Sequence, residues 1–182
     1  MLSPLSVGLV SLLALADPLA APAASSAPSV SPAHYLLLNA PDRRVRATDA
    51  RLRSLLAEGL HRSRTFAGLV TALNRSDVIV YIESVMMLPK GTEGRLTMMP
   101  LAGAYRYLRV QVRADLSRRE TIALIGHELQ HAMEIAGAVD VRDAAALIKL
   151  YQRIGHVSAG EHAYDTEAAQ DMGRVVRREL VG

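Results

Sequence analysis

The segment His127-Glu128-Leu129-Gln130-His131 contains two histidines and a glutamate with the spacing of a metal-dependent catalytic site. Residues four apart stand one above the other on a helix face, so the imidazoles of His127 and His131 can bind one metal ion. Glu128 lies about 100° around the helix, beside the ion rather than on it. A carboxylate there can take a proton from a water molecule that the metal activates. The pentapeptide therefore indicates metal-assisted hydrolysis.

The helix that must position this pentapeptide has recognisable ends. Ser117-Arg118-Arg119-Glu120 has the form of a capping box, and Gly137 is a typical stop. Apolar residues fall on the side opposite the two histidines, namely Ile122, Ile125, Leu129, Ala132, Met133 and Ala136. We therefore expect this helix to bury one face in a core and to present His127 and His131 on the other.

A catalytic zinc site usually has three protein ligands and a water, so a third ligand must lie elsewhere in the chain. Glu134 shares the histidine face, but it lies about 10 Å along the axis from His127, too far for one straight helix to wrap around an ion. We interpret it as a solvated or arginine-paired carboxylate. The remaining candidates are His156 and His162, in a loop rich in Gly and His, and Glu167, at the start of the last helix.

The combination of the pentapeptide with Glu167-Ala168-Ala169-Gln170-Asp171 resembles the gluzincins, zinc peptidases in which a Glu from a second helix completes an H-E-x-x-H site. The resemblance covers roughly residues 108 to 180. It implies Zn²⁺ bound by His127, His131 and Glu167. It also implies a zincin-like α+β single domain, in which a small twisted, mostly antiparallel sheet packs on the active-site helix and on further helices.

The same resemblance implies a compact zinc metallopeptidase that acts on peptides or proteins, with Glu128 as the general base. Asp171 would orient a zinc-binding histidine through its second N–H. His162 and Tyr164 are candidate hydrogen-bond donors to the oxyanion, and the strand ending near Arg113 could pair with an extended peptide. Two other hypotheses stay open: a catalytically inactive, zinc-stabilised binding domain on a peptidase-like frame, and a helical domain without metal.

Composition and charge restrict the other function classes. Half of the 182 residues are hydrophobic, but there are only six Tyr, one Phe and no Trp, so the core must be aliphatic. The net charge is only +3, and aromatics are too scarce among the basic residues to favour a nucleic-acid surface. We interpret Arg43-Arg44-Val45-Arg46 as a solvated approach to a helix rather than a phosphate-binding patch. The absence of cysteine excludes a disulfide framework.

The first 32 residues belong to another class of sequence. An apolar run over residues 5–16 precedes a stretch rich in Ala, Pro and Ser, a pattern typical of a secretory signal peptide or of a disordered leader. The run is too short for a stable membrane span, and no Lys or Arg precedes Arg43. We expect a leader over residues 1–32, one domain over residues 33–182, and export to the periplasm or the extracellular space.

Hydrophobic periodicity predicts the other elements. Helices are expected over residues 42–59, 65–74, 141–154 and 166–180, and strands over residues 77–83, 95–99 and 105–113. The last strand alternates apolar and polar residues, which favours a half-exposed position near a sheet edge. Asp140 is expected to cap the helix that follows Gly137.

Overall fold

The computed structural model describes residues 43–157 and 164–181, so the predicted leader lies outside the described part of the chain. The elements are, in order, β1 (Val45–Ala47), α1 (Ala50–Arg62), α2 (Arg64–Leu73), β2 (Val78–Val85), β3 (Gly94–Met98), β4 (Arg106–Arg113), α3 (Arg118–Gly137), α4 (Ala144–Ile154), β5 (His156–Val157), β6 (Tyr164–Asp165) and α5 (Glu167–Glu179). The α+β class is confirmed. Within these ranges, no helix combines the length and apolar character needed to cross a bilayer.

The main sheet is mixed, with strand order β1-β2-β4-β3. β2 pairs in parallel with both β1 and β4, and β3 alone is antiparallel, to β4. The prediction of a mostly antiparallel sheet is therefore wrong. The chain passes through α1 and α2 between β1 and β2, and such a long crossover permits parallel pairing. After β2 the chain runs back along β3 at the sheet edge. β4 then pairs between β2 and β3, antiparallel to β3 and therefore parallel to β2.

Two further expectations about the strands are corrected. β4 pairs with β2 along its whole length and with β3 on its other side, so the strand ending at Arg113 is interior. Its alternating pattern reflects one buried and one exposed sheet face rather than an edge. Val45, which we expected in a segment leading into a helix, instead lies in β1 and pairs with Val80.

Helix starts follow the local capping residues. The first helix begins only after Asp49, whose side chain accepts a hydrogen bond from the backbone N–H of Leu52. The cap of α4 is Asp143 rather than Asp140, because the Asp143 side chain accepts from the N–H of Ala146. In each of these two helices, a short acidic side chain that reaches the free N–H groups of the first turn determines where the helix begins.

The hydrophobic core lies between α3 and one face of the sheet. The inward side chains of β2 and β4 are fully buried and alternate along each strand: Val78, Val80, Ile82, Leu108, Val110 and Val112. They join Ile122, Ile125 and Leu129 of α3 in one cluster. α5 packs against the histidine-bearing side of α3, so His127 and His131 are also fully buried. The sequence predicted that only the apolar face of α3 is buried, but the face that carries the histidines is buried as well.

Two glycines allow α5 to lie close to α3 at the histidines. A Cβ added at Gly126 would lie 3.0 Å from Cγ2 of Val176, and one added at Gly173 would lie 3.3 Å from Cβ of His127. Both distances are shorter than ordinary van der Waals contact between carbon atoms. The helix pair can therefore be this close only with glycine at these positions or with some displacement of the neighbours.

Arg106, at the start of β4, is fully buried and holds the C-terminal end of α3. Its guanidinium donates to the carbonyl oxygens of Ile135 and Ala136 in the last turn of the helix, and to those of Ala138 and Val141 in the segment that follows. It also donates to both carboxylate oxygens of Asp77 at 2.9 and 2.6 Å, and this contact lowers the pKa of Asp77. A cation at the negative end of the helix dipole is favourable as well.

Replacing Arg106 should therefore destabilise the fold. The variant Arg106→Met removes a hydrogen-bond donor from several buried carbonyls, and the loss of such a donor costs about 1–3 kcal/mol, since the Asp77 carboxylate left behind is partly exposed. Chemical denaturation should show this loss, whereas Arg109→Met, an exposed position on the same strand, should change the free energy of unfolding by less than about 0.5 kcal/mol. Equal stability of the two variants would contradict the role of Arg106.

Candidate metal centre

The helix α3 forms as the sequence predicts. Ser117 and Glu120 make the capping box: the Ser117 hydroxyl accepts from the N–H of Glu120, and the Glu120 carboxylate accepts from the N–H of Ser117 at 3.2 Å. The helix ends at Gly137. His127 and His131 thus lie within a continuous helix, one turn apart and directed to the same side.

Both histidines converge with Asp165, the last residue of β6. Their Nε2 atoms are 3.1 Å apart, and Oδ1 of Asp165 lies 3.4 Å from the first and 3.5 Å from the second. Three ligand atoms that share a tetrahedral ion at 2.0–2.1 Å are about 3.3 Å from one another. The triangle therefore matches one face of a tetrahedral site, and this buried group could hold a metal ion.

The carboxylate in this triangle belongs to Asp165 and not to Glu167, the residue that the gluzincin resemblance implies. Glu167 is the first residue of α5 and is exposed. The N-cap of that helix is Thr166, whose hydroxyl accepts from the N–H of Ala169. Because the helix turns away after its cap, Glu167 points to solvent. Asp165, one residue before the cap, points to the histidines.

The Asp165 carboxylate is fixed by the start of α5. Its Oδ1 accepts from the backbone N–H of Thr166 at 2.7 Å, and its Oδ2 accepts from the Gln170 amide at 2.8 Å. Burial raises its pKa, but hydrogen bonds and charges from the two histidines, with Gln170, outweigh burial and lower it. The Asp165 carboxylate is therefore ionised and oriented, two properties that a metal ligand requires.

Glu134 orients His131 from behind. Its Oε2 lies 2.9 Å from Nδ1 of His131, and its Oε1 accepts from the Thr166 hydroxyl at 2.7 Å. A proton held on Nδ1 by this carboxylate leaves the Nε2 lone pair available for a metal. The interpretation of Glu134 as a solvated carboxylate is therefore wrong. Its position one turn beyond His131 is too distant for a ligand but suits an orienting group.

The other predicted orienting residue lies at the surface. Asp171 is exposed and pairs with Arg174 on the same helix. Tyr164 is buried, with its ring stacked on Tyr151 at 6.5 Å between centroids. His156 is exposed in β5, where its backbone pairs with Asp165, but it is not part of the triangle. His162 lies outside the described residues.

Glu128 lies beside the triangle in an enclosed position. It is fully buried, and neither carboxylate oxygen has a hydrogen-bond partner within the described residues. The backbone of β3 passes close to it, since a Cβ at Gly94 would lie 2.7 Å from Oε1. Burial raises the pKa of Glu128 to about 8. Buried carboxylates normally have partners, so this one has the features of a group that acts on a bound molecule.

The cluster favours positive charge at the triangle. Burial, and then the neighbouring His131, lower the pKa of His127 to about 3. Burial also lowers that of His131, but hydrogen bonds to Asp165 and Glu134 outweigh it and raise the pKa to about 9. The metal-free site thus retains a proton on His131 at neutral pH. A divalent cation would take the place of that proton and satisfy the surrounding carboxylates.

The residues missed by sequence analysis gave weak signals. Tyr151 is fully buried, donates to the His131 carbonyl at 3.3 Å and packs edge-on against the His131 ring. No motif indicates such a tyrosine. For Asp165 a signal did exist: Thr166 is sufficient as the helix cap, which leaves the preceding aspartate free for another role.

Variants of three carboxylates should lose metal in a fixed order. Asp165→Asn removes a charged ligand and should weaken metal affinity by more than about 100-fold, beyond the 10–100-fold effect typical of an orienting residue. Glu134→Gln should fall within that range, and Glu167→Gln should bind like the parent. Metal content by mass spectrometry, with zinc titrations against a chelating indicator, checks the order. Loss of metal in Glu167→Gln with retention in Asp165→Asn would overturn the assignment of Asp165.

Metal removal should reverse the pH dependence of stability between pH 6.5 and 8. The folded pKa values of Glu128 and His131 lie above their ordinary values of 4.5 and 6.5, so a rise in pH favours the unfolded chain. Each group contributes a loss on the order of 1 kcal/mol per pH unit. His127, whose pKa is lowered, contributes mainly below pH 6.5. A metal-bound site needs deprotonated ligands and gains affinity as pH rises.

Calorimetry in EDTA and in saturating zinc checks the direction of this pH dependence of stability. The melting temperature of the metal-free protein should fall from pH 6.5 to pH 8, and that of the zinc-loaded protein should hold or rise. A metal-free protein that gains stability over this interval would contradict the charge distribution described for the site.

Comparisons of the chain with protein-family models, curated proteins and solved structures found no match. No family is therefore shown for this protein. Its chemistry has to be inferred from the arrangement of His127, Glu128, His131 and Asp165.

Proposed function

We propose that the protein is a zinc-dependent hydrolase of peptide bonds, with Glu128 as its general base. The observation that carries this proposal is the buried, unpartnered Glu128 carboxylate beside a triangle of His127, His131 and Asp165. A ligand set alone would fit a structural metal site. The additional carboxylate, which is not part of the ligand triangle, supplies the proton acceptor that hydrolysis needs.

The donor set supports zinc as the metal. Two imidazoles and one carboxylate are ligands typical of catalytic zinc, and a set of three protein ligands would leave a fourth tetrahedral position for a water molecule. When bound, the metal supplies Lewis acidity, which acidifies a water and polarises a carbonyl group. The protein residues must then provide the proton transfer and the orientation.

Glu128 is suited to the proton transfer. Burial raises the pKa of Glu128 to about 8 in the metal-free protein, and a dication bound beside it would lower this pKa and favour the ionised carboxylate that accepts a proton. Glu128 takes the proton of the attacking water and delivers it to the leaving nitrogen. Glu134 and Thr166 hold His131 and the start of α5 in place during this exchange. Because solvent is excluded from the site, the charged groups interact at low dielectric, and their electrostatic interactions are therefore strong.

An edge strand next to Glu128 favours an extended peptide as substrate. β3 is an outer strand of the main sheet, and its first residue, Gly94, packs directly on the Glu128 carboxylate and on Leu124. A peptide that adds to the side of β3 without a strand partner among the described residues would pass near the base. The sequence-based proposal placed this pairing on the strand ending at Arg113, which is interior and cannot accept another strand.

One observation favours a second candidate, a catalytically inactive zinc-stabilised binding domain. The side chains of His127, Glu128 and His131 have no solvent exposure at all. A structural metal site is commonly closed in this way, whereas a peptidase must admit its substrate. The two candidates share the ligands and differ only in the role of Glu128.

The variant Glu128→Gln separates the two candidates. It keeps the shape of the side chain but removes the proton acceptor, so turnover should fall by about 10²–10⁴-fold while one zinc per chain remains bound. Release of fluorescence from a labelled, unfolded protein substrate measures the turnover. Asp171→Asn, an exposed carboxylate on α5, is the matched control and should retain full activity.

Undiminished hydrolysis by Glu128→Gln would eliminate the proposed mechanism. A zinc-loaded parent protein that hydrolyses no peptide would instead support the inactive binding domain.

A further inference from the structure

The sheet face turned away from the helices, here called the outer face, carries arginines and tyrosines from all four strands. It includes Arg46 of β1, Tyr81 of β2, Arg95 of β3, and Tyr107 and Arg109 of β4. The strand register places Arg46 beside Tyr81 and Tyr81 beside Arg109, in a row across three strands. Basic and aromatic residues therefore alternate across the strands, although they are separated along the chain.

The side chains of the outer face form flat stacked groups. The Arg46 guanidinium lies 5.6 Å from the Tyr81 ring centre and donates to its hydroxyl at 2.9 Å. The Tyr81 and Tyr107 rings are nearly parallel, with centroids 6.5 Å apart. At one end of the face, the Arg44 guanidinium lies 4.3 Å over the ring of Tyr105. Guanidinium planes and aromatic rings are the groups on which unpaired bases stack.

Positive charge is in excess on this face. The four strands contain one acidic residue, Glu83, against four outward arginines, Arg46, Arg95, Arg109 and Arg113, and the last of these forms an ion pair with Asp115 just beyond β4. Glu83 lies 3.7 Å from Arg109 and accepts from the Gln111 amide, and Arg95 in turn donates to the Gln111 oxygen. Burial, and then the charge of Arg109, lower the pKa of Arg95. A bound anion would relieve this repulsion.

We propose that the outer face binds single-stranded nucleic acid, with Arg95 and Arg109 contacting phosphates and Tyr81 and Tyr107 stacking on bases. The Arg109 side chain is 45% exposed, so the part of the face around Arg109 is accessible to a ligand, whereas Ile79 on the same face is buried. This surface lies on the side of the sheet opposite α3 and is independent of the metal centre. The sequence-based expectation of no nucleic-acid partner considered neighbours along the chain, whereas the pattern here runs between strands.

Fluorescence anisotropy with a labelled oligouridine of about 12 nucleotides, titrated with the full-length protein over a range of salt, tests this proposal. The double variant Arg95→Gln/Arg109→Gln should weaken binding at least tenfold. It should also reduce the slope of log K against log salt by about 1.4, or about 0.7 for each lost phosphate contact on a single strand. The double variant Arg153→Gln/Arg178→Gln removes the same charge from exposed helix positions and should bind like the parent.

The variant Tyr107→Leu distinguishes nucleic acid from polyanions in general. It should weaken oligouridine binding by about fivefold or more through lost stacking, and it should leave binding of heparin, which has no bases, unchanged. Unaltered melting temperatures confirm that the variants are folded. No binding of oligouridine at low salt, or equal affinities of the two arginine double variants, would overturn the proposal. Equal effects of Tyr107→Leu on both ligands would also overturn it and assign the face to polyanions without bases.

Discussion

The hydrogen bond between Glu134 and Thr166 links the two parts of the chain that make the metal centre. Two of the candidate ligands lie in α3, and the third lies in β6, which precedes α5. Glu134 contacts His131 with one oxygen and Thr166 with the other, while the N–H of Thr166 contacts Asp165. One carboxylate thus positions both sides of the triangle. This link acts together with the close packing of α5 on α3 at Gly126 and Gly173 to fix the distance between the histidines and Asp165.

This arrangement also explains why so many ionisable groups can be buried together. Asp165, Glu128 and Glu134 would each be unfavourable alone in an apolar interior. They surround two imidazoles that can carry a proton or bind a cation, so the cluster as a whole approaches balance. The close approach of α5, which Gly126 and Gly173 permit, removes water and strengthens every one of these contacts.

Local signals predicted part of the site, and contacts distant in sequence determined the rest. The capping box at Ser117, the stop at Gly137 and the spacing of the histidines all act within one helix, so α3 was predicted with its correct limits. Asp165 depends on a pair of two-residue strands and on where α5 begins, and neither has a periodic pattern. The α+β class was expected from the gluzincin resemblance, and the helix and strand periods along the chain agree with it. Strand order determines the parallel pairing and the interior position of β4, and it also determines which side chains lie together on the outer face. No local sequence pattern encodes that order.

The firm attachment of α3 at both ends has a consequence for how the metal enters and leaves. The capping box holds its first turn and Arg106 holds its last, so the helix that carries both histidines is held at its two ends. Asp165 lies instead in a two-residue strand, and displacement of that strand would uncover the triangle without moving either histidine. Metal exchange by this route would proceed at the rate of local opening of the strand rather than at the rate of diffusion.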